Sequence, residues 1–249
     1  MKIPLCLIGY GKMGRIVAEL AAENGFEVVS AIDPVQENCA REISLETLKG
    51  AEVCIDFSHP TVVLKNIRRV MELGKPLVVG TTGWHSHLEE VKHLVQKAET
   101  GLVYGANFSI GMNIFFRLVA EAAKAFDRFH AYDVFGLEMH HNQKADSPSG
   151  TAIELSRLIM ENSSRKSSVL YDPAYRQIEP FELHFASLRA GSIPGTHTVG
   201  FDSEADTIEL THRARSRRGF ALGALQAAKW IKDRQGCYDF REVIAELIC

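Results

Sequence analysis

Gly9-Tyr10-Gly11-Lys12-Met13-Gly14 decides the reading of the first half of this chain. It follows an apolar run at residues 3–8 and opens a segment, 13–23, whose apolar residues recur at helical spacing. A GxGxxG placed between a strand and a helix is the context that gives this otherwise weak pattern its meaning. Gly9 permits the tight turn, Gly11 lets backbone amides approach a pyrophosphate, Gly14 lets the helix pack closely on the strand, and the helix N-terminus adds partial positive charge. A plain turn with a close helix contact would use the same glycines. What favours a nucleotide is Asp33, an acid that closes the second apolar run (26–32) where a carboxylate accepts hydrogen bonds from an adenosine ribose. Pro34 rather than a basic residue follows it, which favours NADH; Lys12 and Arg15 are near enough to serve a 2′-phosphate, so NADPH stays open.

Working outward, apolar runs at 3–8, 26–32, 53–57, 77–79 and 102–104 alternate with helical patterns at 13–23, 60–73 and 85–98, the alternation of a parallel sheet wrapped by crossover helices. Pro4 weakens the first run, but proline is tolerated where a strand begins. After Asn107 the texture changes to a helix at 111–126, a strand at 134–140, a polar loop at 141–149 and a helix at 151–160. Residues 181–189, 197–202 and 207–213 then alternate like half-buried antiparallel strands, with turn material at 191–195. The tail is helical by periodicity at 219–232 and 240–248, and 163–168 is polar enough for a mobile loop. The expected class is α/β: an N-terminal Rossmann-type parallel sheet and a second α+β domain with a mostly antiparallel sheet. The expected divisions are 1–108 for dinucleotide binding, 109–218 for substrate binding and oligomerisation, and 219–249 as C-terminal helices.

The 249 residues are 46% hydrophobic and 24% charged, enough apolar material for one large core or two modest ones. A formal net charge of −3 offers no general attraction to nucleic acid or an anionic membrane, so neither is an expected partner. The cysteines (Cys6, Cys39, Cys54, Cys237, Cys249) have no CxxC spacing, and two sit in apolar runs, which suits reduced thiols and a cytoplasmic location. The N-terminal apolar run is too short for a signal peptide, and no stretch is apolar enough to span a bilayer.

The chemistry concentrates in Glu138-Met139-His140-His141-Asn142-Gln143-Lys144-Ala145-Asp146-Ser147-Pro148-Ser149-Gly150-Thr151-Ala152. An imidazole exchanges protons near neutral pH, and Lys144 adds a flexible cation. Ser149, Gly150 and Thr151 offer hydroxyls and amides at a helix N-terminus, and together these groups suit a small polyanionic acid. Ser149 also reads as a helix N-cap. Adjacent histidines can ligate zinc, but neighbours on a strand face opposite ways and no HExxH or cysteine partner is near, so no metal is expected. Two further segments stand where strand C-termini should gather: Gly80-Thr81-Thr82-Gly83, and Gly105-Ala106-Asn107-Phe108. Either could equally be a simple strand-to-helix turn.

These residues resemble the 4-hydroxy-tetrahydrodipicolinate reductase (dihydrodipicolinate reductase) family of the diaminopimelate and lysine pathway nearly end to end. The likeness rests on 9–15, 80–83, 106–111, the block from His140 to Ala152, and 189–191 with 195–197. It implies hydride transfer from NADH or NADPH to a cyclic dicarboxylate, giving tetrahydrodipicolinate with loss of water. His140 becomes the proton donor or acceptor, Lys144 its catalytic partner, and His141, Gly150 and Thr151 the holders of substrate carboxylates. The resemblance assigns Gly9, Tyr10, Gly11, Lys12, Met13 and Gly14 to the pyrophosphate, Asp33 to the ribose, and Gly80, Thr81 and Thr82 to the nicotinamide side. Gly105, Ala106, Asn107 and Phe108 become the interdomain strand beneath it. The resemblance also implies a homotetramer formed through second-domain sheets and a C-terminal helix returning to the first domain. Two positions depart from the family pattern: Asn142 and Gln143 replace more usual basic residues, and Pro34 stands where an NADP-selecting arginine often follows the acid. Rival readings are an amino-acid or semialdehyde dehydrogenase of the same plan, and a non-catalytic NAD(P)-sensing protein.

Overall fold

The computed structural model describes residues 1–171 and 173–248, so Cys249 lies outside it. In chain order the elements are β1 (Ile3–Ile8), α1 (Lys12–Ala21), β2 (Phe26–Ile32), β3 (Val53–Asp56), α2 (Val63–Glu72), β4 (Leu77–Val79), α3 (Leu88–Lys97) and β5 (Gly101–Tyr104). There follow α4 (Ile110–Phe126), β6 (Asp133–His140), α5 (Gly150–Asn162), β7 (Ser168–Leu170), β8 (Glu182–Arg189), β9 (Thr196–Asp202) and β10 (Thr207–Arg213). The chain ends in α6 (Arg218–Ile231), β11 (Gly236–Asp239) and α7 (Phe240–Ile248). It divides into two compact units, one of residues 1–110 with 217–249, the other of residues 111–216.

In the first unit six parallel strands run in the order β11-β5-β4-β3-β1-β2. Strands buried on both faces need continuous apolar runs, and β1 supplies one: Leu5, Cys6, Leu7 and Ile8 are all buried. Pro4 is accommodated because its carbonyl accepts from the Glu52 amide (2.9 Å) while its missing donor falls at the strand's beginning. One face of the sheet packs against α2 and α3 through Val63, Ile67, Val70, Met71, Val91 and Val95. The four buried residues of α2 recur at helical spacing and stabilise its docking by on the order of 6–12 kcal/mol before conformational entropy is subtracted. β1 continues to β2 on one side and is paired with β3 on the other, so the sheet order reverses between β1 and β3. The crevice beyond the strands' carboxyl ends at such a reversal is where open α/β sheets bind ligands.

Several boundaries differ from expectation. The strand from 53 ends at Asp56, whose side chain is consumed by the following turn. α2 starts three residues after Pro60, because 60–62 form a turn bonded to the His59 carbonyl. Residues 85–87 form a 3₁₀ turn before α3, and β7 and β11 were not expected at all. Both are short edge strands with at most a brief apolar stretch, so tertiary pairing rather than local pattern defines them.

The second unit is a mixed five-stranded sheet, β10-β9-β6-β8-β7, with α4 and α5 on one face. The β10–β9 and β9–β6 pairs are antiparallel, whereas β6–β8 and β8–β7 are parallel. β8 and β9 are therefore not a hairpin: β6 lies between them, and the 191–195 turn crosses over its end. The core is Met112, Phe115, Val119, Val134, Leu155, Ile159, Leu183, Phe185, Val199 and Phe201.

Candidate active site

The loop after β1 has the geometry of a phosphate cradle. Gly9 adopts φ +86°, and a Cβ there would lie 2.5 Å from the Phe57 carbonyl oxygen of the loop after β3; one on Gly14 would lie 2.2 Å from the Gly9 carbonyl oxygen. Those two glycines are demanded by packing. Gly11 is not: its φ is −77°, and a Cβ on it would meet nothing within 4 Å. Open space over an unencumbered glycine, next to the uncapped N-terminus of α1, fits a pyrophosphate approaching the backbone.

Asp33 sits beside this loop, accepting from the amides of Tyr10 (2.8 Å), Val35 (2.9 Å) and Gln36 (3.3 Å). Partial burial opposes ionisation, but these amides and the charge of Arg15 hold the carboxyl below its ordinary range. Arg15 lies over the Tyr10 ring and donates to Gln36 (2.6 Å). Lys12 is exposed, whereas Met13 is half-buried.

The next two segments prove more structural than the loop. Gly80 is fixed by the Phe57 ring, which a Cβ would meet at 2.0 Å. The Thr81 hydroxyl donates to Asp56 (2.7 Å), a fully buried carboxylate that also takes the Ser58 amide and hydroxyl and the Asn66 amide, while Thr82 is exposed. Burial raises Asp56 in spite of these donors. Phe108 is 2% exposed and packs on Phe240 at 4.6 Å, so it belongs to the core; Gly105 lies under the same ring, Ala106 is exposed, and Asn107 accepts from the Ser109 amide (2.9 Å).

In the second unit the chemistry gathers at the end of β6. Alternation along the strand puts Glu138 and His140 on one face, and His141 follows the strand's last residue. Glu138 has no exposure. One of its oxygens accepts from Arg189 of β8 (2.8 Å) and from the Ser149 amide (3.1 Å), and the other lies against Nδ1 of His140. The rings of His140 and His197 of β9 meet edge to face at 5.1 Å. His197 Nε2 pairs with the Ser149 hydroxyl (3.3 Å), which caps α5 by accepting from the Ala152 amide (3.2 Å). Gly150 has open space around it and Thr151 is half-buried, leaving the first turn of α5 accessible. Lys144 pairs with Asp146 (2.7 Å) and lowers its pKa, so this cation has an internal carboxylate partner.

Burial lowers His140 below the ordinary imidazole range, with Glu138 opposing and Lys144 and Arg189 assisting. Burial, reinforced by the nearby His140, pushes His197 down to about 4. Both rings are therefore neutral at neutral pH. Glu138, His140 and His197 present ligand atoms within 4.8 Å of one another, a candidate metal group among the described residues. Glu138 is already neutralised by Arg189, whose cation would stand beside any ion.

The sequence pattern thus brought His140, Lys144, Ser149, Gly150 and Thr151 together, but it gave no role to Glu138, Arg189 or His197. The spacing of Glu138 to His140 on a strand was one available signal, and the segments 189–191 and 195–197, which carry part of the family likeness, were another. Arg189 and His197 reach the site only through strand pairing.

The N-terminal family model of dihydrodipicolinate reductase matches residues 3–108 and the C-terminal model matches residues 111–244. The chain belongs to the dihydrodipicolinate reductase family. A family member from Christiangramia forsetii, named 4-hydroxy-tetrahydrodipicolinate reductase, is 37% identical over 98% of both chains, and one of the same name from Zymomonas mobilis is 36% identical over 97% of both. Among solved structures, the dipicolinate-bound family member from Paenisporosarcina superposes with TM-score 0.79 at 22% identity, covering 98% of this chain and 100% of that one. An amine dehydrogenase from Mycobacterium smegmatis shares the fold more loosely (TM-score 0.60, 12% identity, 97% and 96% coverage). The architecture is therefore common to several dehydrogenases, and the site rather than the fold carries the family's chemistry.

Proposed function

We propose that this protein reduces 4-hydroxy-tetrahydrodipicolinate to tetrahydrodipicolinate with a reduced nicotinamide cofactor, in diaminopimelate and lysine biosynthesis. The observation that carries the reading is His140, held at the end of β6 by a buried carboxylate and flanked by Lys144 and the open first turn of α5. When bound in the Gly9–Gly14 loop, a reduced nicotinamide would supply the hydride that, with one proton and loss of water, converts the substrate to product.

The chain's own groups do the rest. Gly150, Thr151, His141 and Lys144 hold the substrate carboxylates, Lys144 exchanging Asp146 for the ligand. Orientation of the substrate supplies much of the acceleration. Burial holds His140 below the ordinary imidazole range, so the negative charge of a dicarboxylate substrate is what raises its pKa and readies it to donate. The amides of the Gly9–Gly14 loop, with Tyr10, Lys12 and Met13, receive the pyrophosphate; Thr82 and Ala106 line the nicotinamide side, with Gly80, Thr81, Gly105, Asn107 and Phe108 behind them. Asp33 takes the ribose hydroxyls, which favours NADH, while Arg15, whose charge acts on Asp33, is a cation that could serve the 2′-phosphate of NADPH.

Residues 111–216 form the substrate-binding part, and they also offer a self-association surface. On the sheet face opposite α4 and α5, Phe135, Leu137 and Met139 are half-buried and Leu188 is 44% exposed. Gly200 makes room for the Phe135 ring there. A homotetramer built on this face is our reading of the assembly. No helix among the described residues is long and apolar enough to cross a membrane, and unpaired Cys6, Cys39, Cys54 and Cys237 suit the cytoplasm.

The test is oxidation of NADH and of NADPH by the purified protein with freshly generated substrate. Substrate-dependent oxidation is expected, with NADH preferred. Oxidation with aspartate or homoserine instead, or nucleotide binding without turnover, would replace this reading with one of its rivals.

A further inference from the structure

We propose that Glu138 is the positioning residue of this site: it holds the Nδ1–H of His140, so that Nε2 is the atom that exchanges the proton. The inference rests on the reading of His140 as the proton donor, and the geometry carries it beyond that reading.

A carboxylate with no exposure must be paired or give up its charge. Glu138 is paired on both oxygens and from three elements: Arg189 of β8 at 2.8 Å and the Ser149 amide of the α5 cap at 3.1 Å take Oε1, while Nδ1 of His140, two residues along β6, takes Oε2. Burial opposes its ionisation, but its hydrogen-bond donors, Arg189 foremost, and the nearby His140 keep it below the ordinary carboxylate range. An ionised carboxylate can only accept, so the imidazole nitrogen facing it must carry the hydrogen. That leaves the lone pair, and any proton gained or lost, on Nε2.

The far edge of the ring is built for this. Gly195, in the left-handed region at φ +139°, lies where a Cβ would stand 3.0 Å from His140 Nε2. Any side chain there would crowd the exchanging atom. The charged and titratable groups facing the ring are Glu138 on β6, Lys144 on the following loop, Arg189 on β8 and His197 on β9. His197 stays neutral, so the imidazole answers to one anion and two cations. Arg189 offsets Glu138, which lets the carboxylate orient the ring without fixing a permanent positive charge on it. A bound dicarboxylate then decides when His140 is protonated.

The experiment is nitrogen-15 NMR of the histidine side chains in the intact protein, with His140 assigned by its loss in His140→Asn, combined with pH profiles of kcat/KM. Wild type is expected to show the Nδ1–H tautomer at pH 8. Glu138→Gln removes the counter-charge of Arg189 and is at risk of misfolding, so the charge-neutral pair Glu138→Gln with Arg189→Met is made beside it. In the folded variant the tautomer is expected to switch to Nε2–H, and kcat to fall about tenfold to a hundredfold with the cofactor KM unchanged. The alkaline limb of kcat/KM, along which the proton donor loses its proton, should move to lower pH, and Glu138→Asp should recover part of the rate. A wild-type ring already protonated on Nε2, or a folded variant whose tautomer and pH limb both match wild type, would overturn the proposal. Wild-type turnover by His140→Asn would instead remove the functional reading, whatever the tautomer.

Discussion

In the loop after β1 the groups proposed to bind are backbone amides, and the residues that shape it are those whose side chains are missing. Around Glu138 the working groups are side chains, drawn from positions 138 to 197 by three strands and a helix cap. A backbone site is local, so its tolerance to change is set by space. A side-chain network is non-local, so its tolerance is set by charge balance. The two regions should therefore fail in different ways when altered.

The sharpest contrast is in turnover. His140→Ala or Lys144→Ala should cut kcat by about 10²- to 10⁴-fold, the usual worth of a positioned proton-transfer group, while calorimetry shows nucleotide binding intact. Loss of nucleotide affinity in step with turnover would break the separation between the regions.

Within the loop, Gly14→Ala drives a methyl into the Gly9 carbonyl at 2.2 Å and should cost about 3 kcal/mol of stability, at the upper end for overpacking. Gly11→Ala meets open space and should change stability by less than about 0.5 kcal/mol while weakening dinucleotide binding at least about tenfold. Denaturation and titration of the two variants together check this. Equal effects would mean that Gly11 is structural too.

In the side-chain network, pH replaces space as the probe. His197 lies at about 4 in the folded protein against 6.5 for the ordinary imidazole. Between those values the unfolded chain binds a proton that the folded chain refuses, so stability falls as pH drops below about 6.5 and levels off below about 4. The loss from pH 7 to pH 5 should be roughly 2 kcal/mol by urea denaturation, and His197→Gln should lose that part of the slope. No comparable slope should come from the glycine loop.

Smaller effects refine the comparison. Asp33→Asn should weaken NADH binding by roughly tenfold, about one charge-assisted hydrogen bond, and NADPH binding by less. Asp146→Asn frees Lys144 from its internal partner and should lower the substrate KM by about two- to fivefold, the scale of a partly exposed ion pair. An unchanged KM would mean that Lys144 is not the group released to the substrate.

The amino-acid order by itself determined what is periodic or local. The apolar run of β1, the glycines at 9, 11 and 14, the serine cap of α5 and the packing of imidazoles and Lys144 into one loop each depend on neighbours a few residues apart. Helix and strand periods and backbone conformation are written at that range. Folding alone decided that β6 enters between β8 and β9, that Thr81 spends its hydroxyl on Asp56, and that Glu138 meets Arg189 fifty-one residues away. Strand order and the pairing of a buried charge arise from competition among distant segments for the same space and the same counter-charge. Neither leaves a signature in the spacing of residues along the chain.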